Sequence, residues 1–275
     1  MKGDRGARAP GWAVILGASS GTGAAIAEAV AADPGLHVFG VHRGRYQGQA
    51  DAVEATVAAA GRRAVMRIAD AGTWEGAQSG ADALLAAAGP GSVRLFVHSI
   101  ANASVGRLAL PAGERLHPKQ LEKTFTSMAH SFVYWVQALL DRDLLAPSAR
   151  LLGLTNPLDA SILRNSGAIG PAKAALESYI RHLALELGPL GHRVNLLRFG
   201  TVMTPALTHV FDDEALKAME AIHARMIPAG RMCTVEEVAR FVGLLCREEA
   251  AFLNGATLDF TGGMTQHLLD LVLNG

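Results

Sequence analysis

One lysine has the type and setting of a residue that does chemistry. Lys173 lies in the segment NSGAIGPAKAALES (residues 165–178), whose small apolar residues predict a closely packed helix. A lysine is almost never fully buried unless another group pairs with it. We therefore expect Lys173 to pair with another group, which a bound ligand can supply.

A glycine-rich turn supplies a second chemical element. The stretch LGASSGTGAAIAEAV (residues 16–30) follows an apolar run and opens a helical pattern. Spaced glycines let a backbone approach a pyrophosphate, and a helix N-terminus adds N–H groups and a positive dipole end. Tight packing of a helix on a strand also explains such turns, but the position between strand and helix favours a dinucleotide site. The candidate contacts are Gly17, Ser19, Ser20, Gly21, Thr22 and Gly23.

The end of the second predicted strand, GVHRGRY (residues 40–46), bears on which dinucleotide is bound. NAD sites usually place a carboxylate there to accept a hydrogen bond from the ribose 2′-OH. This stretch has no carboxylate and carries His42, Arg43 and Arg45 instead. A guanidinium suits a 2′-phosphate, so we predict NADP(H), with His42 and Arg43 as contacts. The alternative is that the arginines are simply solvated on a loop.

Seven apolar runs of strand length alternate with alanine-rich helical segments, and this pattern must position those residues. Continuous apolar strands separated by helices predict an α/β fold. We expect a single doubly wound (Rossmann) domain with a seven-stranded parallel sheet and helices on both faces, over residues 11–275 after a flexible lead-in at 1–10. The predicted strands are 12–17, 36–41, 64–69, 93–99, 149–155, 193–199 and 256–261. The predicted helices are 22–32, 47–60, 74–88, 118–141, 167–188, 205–225 and 235–247.

The composition excludes several classes of function. The chain has 275 residues, of which 50% are hydrophobic, and its net charge is zero, which argues against a nucleic-acid surface. No apolar stretch reaches the roughly 18 to 20 residues that span a membrane. Two cysteines, Cys233 and Cys246, form no disulfide framework, and the histidines show no ligand spacing. We therefore expect a cytoplasmic protein without a metal site or a membrane or nucleic-acid partner.

Further motifs resemble the short-chain dehydrogenase/reductase superfamily over roughly residues 12 to 263. They are IADAG (68–72), VHSIANA (97–103) and RVNLLRFGTVMT (193–204), in addition to the glycine turn and the lysine helix. The proline that the superfamily usually has before the glycine of the last motif is Phe199 here. The resemblance implies cofactor contacts at Asp70, Ala71, Ser99, Ile100, Ala101, Lys173, Gly200, Val202 and Thr204.

Within that superfamily the sequence looks most like the bacterial enoyl-acyl-carrier-protein reductases, but it lacks their active-site tyrosines. The segment LTNPLDASILRNSGAIGPAKAALE (154–177) matches their catalytic segment, and the two tyrosines fall on Asn156 and Ser166. A match to ordinary ketone reductases instead puts the catalytic serine on Asn156 and the tyrosine on Ile169. In such enzymes the phenol donates to the substrate oxygen from the lysine's face of the helix. Either match leaves the phenol missing.

The missing phenol disfavours carbonyl reduction more than alkene reduction. Ketone reduction forms an alkoxide that needs a proton at once, whereas hydride addition to an enoyl thioester gives a delocalised oxyanion that hydrogen bonds can hold. Ser166 and Asn156 are therefore the candidate catalytic residues beside Lys173. Ser166 can instead be a helix N-cap. Asn156 can instead satisfy loop backbone.

Together these features predict an NADP-dependent reductase of the C=C bond of an acyl or polyketide enoyl thioester. The alternative is a non-redox member of the superfamily, either a dinucleotide-binding scaffold or an atypical biosynthetic enzyme. Four methionines between Met203 and Met232 suggest a lid over an acyl chain, although an ordinary amphipathic helix would look the same. Tyr134 and its aromatic neighbours suggest contacts in a homodimer or homotetramer. The substrate itself is not specified by the sequence.

Overall fold

The sheet has the order and direction that the sequence predicts. A computed structural model describes residues 11–111, 113–159, 162–208 and 212–266, so the predicted lead-in lies outside the described residues. All strand pairs are parallel, in the order β3-β2-β1-β4-β5-β6-β7. The strands are β1 (Trp12–Leu16), β2 (His37–His42), β3 (Ala64–Ile68), β4 (Val93–His98), β5 (Leu145–Thr155), β6 (Arg193–Phe199) and β7 (Thr257–Phe260).

Helices cover both faces of the sheet, which confirms the doubly wound prediction. One core cluster packs Phe96 and Trp135 with residues of α3, α5 and α6, and the other packs Ile15 and Val38 with residues of α1, α2 and α9. The helices are α1 (Gly21–Ala32), α2 (Gln47–Ala59), α3 (Trp74–Ala88), α4 (Pro118–Phe125), α5 (Ser131–Leu140), α6 (Ile169–Leu187), α7 (Pro205–Thr208), α8 (Asp213–Met226) and α9 (Val235–Leu245).

Two predicted helices are wrong as single elements. The helix predicted over 118–141 is divided into α4 and α5 by a π-helical turn, Thr126–His130. The hydroxyls of Thr124, Ser127 and Ser131 each donate to the carbonyl four residues earlier, and such side-chain bonds bend a helix. The helix predicted over 205–225 consists of α7 and α8, and residues 209–211 between them lie outside the described part of the chain.

The fifth strand begins earlier than predicted, at Leu145 rather than at residue 149. Its first half contains Pro147 and Ser148, residues that usually mark a strand edge or an irregularity. Ser148 has a positive φ of 59°, and the pairing of β4 with β5 shifts register between Val93 and Leu95. The periodicity of an irregular strand is too weak to identify from sequence.

The strand order reverses between β1 and β4, and this reversal creates the crevice in which doubly wound proteins bind ligands. The backbone N–H of Gly17 donates to the carbonyl of Val41 at 2.8 Å. On the other side, Ser99 N–H donates to the carbonyl of Leu16 at 3.1 Å. The glycine turn is therefore held between the carboxyl ends of β2 and β4.

Candidate active site

The glycine turn leaves open backbone at the base of the crevice. Gly17 has a φ of +84°, and a Cβ at this residue would collide with the carbonyl oxygen of Ser99. A Cβ on Gly23 would collide with the carbonyl oxygen of Gly17. Ser20 precedes α1 and its hydroxyl does not cap the helix, whereas Ser19 and Thr22 are buried. The first N–H groups of α1 thus face the crevice beside a bare backbone, which is the surface that a pyrophosphate fits.

The two predicted cofactor contacts at the end of β2 differ in burial. His42 is buried, and its Nδ1 accepts a hydrogen bond from the Gly44 N–H at 3.2 Å. The ring proton is therefore on Nε2, which is buried and has no partner among the described residues. Burial lowers the pKa of His42, which keeps the ring neutral. Arg43 and Arg45 are exposed and supply the positive charge at this edge.

The ends of β3 and β4 flank a cavity of about 200 Å³. Asp70 lines it, and one oxygen of its carboxylate accepts from the Gly72 N–H at 2.9 Å. Ala71 is buried, and its carbonyl accepts from the indole N–H of Trp135 at 3.0 Å. After β4, Ile100 packs against the core and Ala101 is exposed. The cavity is also lined by Thr73, Asn102, Lys119, Lys123 and Ser127.

The segment after β6 reaches the same edge of the sheet. Gly200 N–H donates to the carbonyl of Phe260 at 3.3 Å, and Val202 is buried. Thr204 accepts from the Leu207 N–H through its hydroxyl at 3.4 Å and so begins α7. One further contact was not predicted: Nε2 of His223, on α8, lies 2.8 Å from the Thr201 hydroxyl.

Lys173 lies in the second turn of α6, with 8% of its surface exposed, and it interacts with other groups of the protein. The helix approaches the loop after β5 closely, because a Cβ on Gly170 would lie 2.8 Å from the Leu158 carbonyl oxygen. One turn after Lys173, Leu176 packs on Gly153 of β5. The small residues that predicted this helix therefore allow close packing, and the helix holds Lys173 buried near the carboxyl ends of the strands.

Ser166 is buried, and its hydroxyl is already used. The hydroxyl donates to the Leu163 carbonyl at 2.7 Å, and the residue forms an isolated bridge with Gly106. The alternative reading of its side chain as a helix N-cap is wrong, because α6 is preceded by Ala168 and only the Ser166 carbonyl, not its hydroxyl, accepts from Ile169 N–H at 2.9 Å. The backbone of Ser166 joins its segment to the loop at Gly106, and its hydroxyl hydrogen is already bonded to Leu163.

Asn156, directly after β5, has an amide with one end bonded and one end available. Its Oδ1 accepts from the Leu158 N–H at 3.3 Å, so it satisfies loop backbone as the alternative interpretation expected. The Leu158 N–H is a donor, so it must bond to the oxygen end of the amide. The Nδ2 end makes no hydrogen bond to the described residues. Asp159 and Ser161 share this loop, but the side chain of Asp159 and all of Ser161 lie outside the part of the chain that the structure describes.

The three tyrosines lie away from the predicted acid positions. Tyr46 is exposed at the start of α2. The Tyr179 hydroxyl lies 3.1 Å from Nδ1 of His130. Tyr134 packs edge-to-face on Trp74 with a centroid distance of 5.5 Å. Tyr179 and Tyr134 therefore contact residues other than Asn156, Ser166 and Ile169, and Tyr46 is exposed on a different helix.

Sequence reasoning missed a buried histidine at this edge. His98 ends β4, is fully buried, and has its Nε2 at 2.8 Å from the Ser131 hydroxyl. Burial, followed by the charge of Lys173, lowers the pKa of His98 to about 3. A histidine inside the apolar strand VRLFVHS was the available signal, because a buried imidazole needs partners. The predicted site residues lie at the carboxyl ends of β1 to β6, in the segment leading into α6 and, for Lys173, in α6 itself.

Two absences hold for the described residues. No helix there has the length and apolar character to cross a bilayer. No group of three or more histidine, cysteine or acidic side chains is arranged to bind a metal ion in that part of the chain.

Comparison with known proteins identifies one family and several relatives that match this chain. A family described as Enoyl-(Acyl carrier protein) reductase matches residues 17–265. The chain is 29% identical over 255 residues to 1-cyclohexenylcarbonyl-CoA reductase of Streptomyces collinus, covering 92% of this chain and 86% of that protein. It is also 29% identical to the enoyl-acyl-carrier-protein reductase (NADH) FabI of Escherichia coli K12, over 62% of this chain and 63% of that protein.

A solved structure shares the fold over nearly the whole chain. The NADPH-bound short chain oxidoreductase from Pseudomonas aeruginosa PAO1, described as containing an atypical catalytic center, is similar with a TM-score of 0.80. The match covers 94% of this chain and 97% of that one at 22% identity. At this identity the likeness shows the fold alone.

Proposed function

Because the chain belongs to the enoyl-(acyl carrier protein) reductase family of short-chain dehydrogenases/reductases, we propose that it is an NADPH-dependent reductase of the C=C bond of an enoyl thioester. The observation that carries the proposal is a buried lysine without a phenol. Lys173 is 8% exposed on α6, whereas Asn156, Ser166 and Ile169 occupy the positions of the acid.

The residues of the site can hold the delocalised oxyanion of enoyl reduction better than they can protonate the alkoxide of ketone reduction. When bound, the reduced nicotinamide supplies the hydride that adds to the β-carbon of the enoyl group. Asn156 Nδ2 donates a hydrogen bond to the thioester oxygen, where negative charge develops. Lys173 binds the cofactor ribose, and the backbone of Ser166 bridges to the loop at Gly106. No side chain in this set is a strong acid, and a delocalised oxyanion does not require one at the moment it forms. The α-carbon then takes a proton from solvent water, which completes the saturated thioester.

Arg43 and Arg45 support the choice of NADPH over NADH. Both are exposed beside the end of β2, where a ribose 2′-phosphate lies in a doubly wound cofactor site. The stretch from His42 to Tyr46 contains no carboxylate that would repel that phosphate. Buried His42 is neutral and contributes a hydrogen-bond donor rather than a charge.

The segment 203–232 is proposed to be a lid over the acyl chain. In α8, Leu216 is the one buried residue, and the contact of His223 with Thr201 is its one side-chain hydrogen bond to another element in the described part of the chain. Few buried contacts are typical of elements that open locally. Exposed apolar side chains lie on the two loops joined at Ser166, where an acyl chain would enter: Val105, Leu108, Ile162 and Leu163.

The partners are proposed to be a small-molecule or carrier-bound acyl thioester and further copies of this chain. Trp74 is 43% exposed and packs against Tyr134. The Tyr134 ring lies 6.4 Å from that of His130, which bonds to Tyr179. Aromatic side chains at a surface are enriched in protein interfaces. We propose a homodimer or homotetramer that uses this surface.

A non-redox role is the second candidate, and one contact favours it. The Ser166 hydroxyl bonds to the Leu163 carbonyl instead of facing an open cleft. A protein that had lost its acid and closed its substrate loops would keep the cofactor crevice as a binding site.

Isotope transfer tests the proposal. The protein is incubated with NADPH carrying deuterium at the transferable C4 position and with a short enoyl-CoA thioester, and the product is analysed by mass spectrometry. One deuterium at the β-carbon of the saturated thioester is expected. Bound NADPH with no label transferred to any enoyl thioester would favour the non-redox role.

A further inference from the structure

His98 is a buried imidazole that the proposed reaction leaves without a role. Its Nε2 lies 2.8 Å from the Ser131 hydroxyl, which itself donates to the Ser127 carbonyl at 2.8 Å. The carbonyl can only accept, so we assign the single hydroxyl hydrogen of Ser131 to it. The imidazole must then donate from Nε2, and its Nδ1 is an acceptor.

That acceptor is buried and has no hydrogen-bond partner among the described residues. A buried polar atom without a partner costs on the order of 1–3 kcal/mol. Such an atom in a folded protein requires an explanation, either strain, a function or an ordered water. Packing alone does not explain it, because an apolar residue would fill the same space without that cost.

Lys173 lies on the same side of the sheet and at the same edge. Phe96, two residues before His98 and on the same strand face, belongs to one core cluster with Leu176, one turn after Lys173. Leu176 packs on Gly153, which pairs with His98 across β4 and β5. Because α6 begins at the carboxyl ends of the strands, Lys173 is displaced toward that edge from Leu176, as His98 is from Phe96.

We propose that His98 is a positioning residue for Lys173: Nδ1 accepts a hydrogen bond from the Lys173 ammonium through one bridging water and holds the ammonium toward the crevice. An ammonium has three donors, so a bond to this water leaves donors for the other groups with which Lys173 interacts. Two other titratable residues on the packed elements have their own partners: His130 bonds to Tyr179, and Glu177 pairs with Arg181 and Arg198. The consequence for cofactor affinity rests on the proposed function, whereas the positioning of Lys173 does not.

Two substitutions at His98 separate its two nitrogens. The amide of asparagine places an oxygen near the imidazole Nδ1, and the longer glutamine places its amide near Nε2. His98→Asn therefore keeps the acceptor for Lys173 and loses the bond to Ser131. His98→Gln keeps the bond to Ser131 and loses the acceptor. A role confined to Ser131 predicts the opposite pattern from a role in positioning Lys173.

The readout is the titration of Lys173 in the cofactor-free protein. The chain has five lysines, so carbon-13 NMR of protein labelled at lysine Cε gives few signals, and Lys173→Met assigns the one of interest. We expect His98→Gln to lower the pKa of Lys173 by about one unit, because the acceptor favours the charged form, and to weaken NADPH binding about tenfold. His98→Asn is expected to keep the pKa of Lys173 within about half a unit, and the NADPH affinity within about a factor of three, of the values for the unmodified protein.

His192 supplies the matched control. It is buried, its Nδ1 also lacks a partner among the described residues, and it precedes β6 at the opposite edge of the sheet. His192→Gln is expected to leave the Lys173 titration unchanged. The proposal is overturned if both His98 variants leave that titration unchanged, or if only His98→Asn alters it. If Lys173→Met binds NADPH normally, the proposed cofactor role fails, and the titration still decides the positioning role.

Discussion

The backbone N–H of Leu158 lies 3.3 Å from Oδ1 of Asn156, and this contact fixes the orientation of the Asn156 amide. The oxygen faces the loop, so the Nδ2 end is left as the donor at the carboxyl end of β5. Ser166 is different, because its only hydroxyl hydrogen is bonded to Leu163 at 2.7 Å. Of the two candidates for oxyanion contact, Asn156 is therefore the one whose donor makes no hydrogen bond to the described residues.

Asn156→Asp tests that assignment, because it keeps an oxygen for Leu158 and removes the donor. We expect kcat for an enoyl thioester to fall about 10²- to 10³-fold, as when one oxyanion donor is lost. Steady-state NADPH oxidation measures the change, and thermal denaturation checks that the fold is kept. Ser166→Ala is the comparison, with an expected change in kcat of less than about threefold. A larger loss in Ser166→Ala than in Asn156→Asp would reverse the two roles.

Arg43→Ala tests the choice of cofactor. If Arg43 contacts a 2′-phosphate, the variant loses about 1.5 kcal/mol of NADPH binding and little NADH binding, the low end for a charge-assisted hydrogen bond because Arg43 is exposed. Titration calorimetry with both cofactors at two salt concentrations measures the difference. Arg240→Ala, at an exposed arginine of α9, is the control. Equal affinity for NADPH and NADH in the unmodified protein would show that the assignment is wrong.

Lys173→Met tests the ribose contact. Methionine keeps the apolar stem of lysine, so the helix stays packed while the ammonium is lost. We expect NADPH affinity to fall about ten- to a hundredfold, the loss of one hydrogen bond to a charged group. Fluorescence titration measures the affinity, and urea denaturation reports stability. Unchanged affinity in a folded variant would make Lys173 a structural residue.

Acid stability provides a separate prediction about His98. Its pKa is about 3 in the folded protein, against an ordinary value of 6.5. The unfolded chain therefore takes up a proton below about pH 6.5 that the folded protein refuses until about pH 3. The stabilisation is full above pH 6.5 and is lost as the pH falls, by up to about 1.4 kcal/mol per pH unit.

Substituting His98 removes this dependence. We expect the free energy of unfolding of His98→Asn to vary less between pH 6.5 and 4.5 than that of the unmodified protein, as measured by urea denaturation. His182→Asn, at an exposed histidine of α6, is expected to keep the original slope. The burial argument would be wrong if the slopes of His98→Asn and the unmodified protein coincided.

Much of this fold could be predicted from sequence because its signals are local. An apolar strand such as Val93–His98 is recognised from its own residues, and the glycines at 17 and 23 mark a tight turn. The seven strands and the crevice therefore agree with the prediction. The π-helical turn at Thr126–His130 and the early start of β5 were missed. Both arise from side-chain bonds or irregular backbone that leave no periodic pattern.

The site was less predictable than the fold, because donor availability depends on tertiary contacts. Sequence placed Ser166 and Asn156 together as equal candidates. The difference between them lies in two hydrogen bonds, from Ser166 to the Leu163 carbonyl and from Leu158 N–H to Asn156. The pairing of His98 with Ser131 spans 33 residues and likewise has no local signature.

In the proposed function, the missing phenol leaves alkene reduction possible and disfavours carbonyl reduction. The most direct test compares kcat/KM for NADPH oxidation with an enoyl-CoA thioester and with the β-ketoacyl-CoA thioester of the same chain length. We expect measurable turnover of the enoyl thioester. We expect kcat/KM for the β-ketoacyl thioester to be at least about a hundredfold lower, which is on the order of the contribution of one positioned acid. A higher kcat/KM for the β-ketoacyl thioester, or equal values for the two, would contradict it.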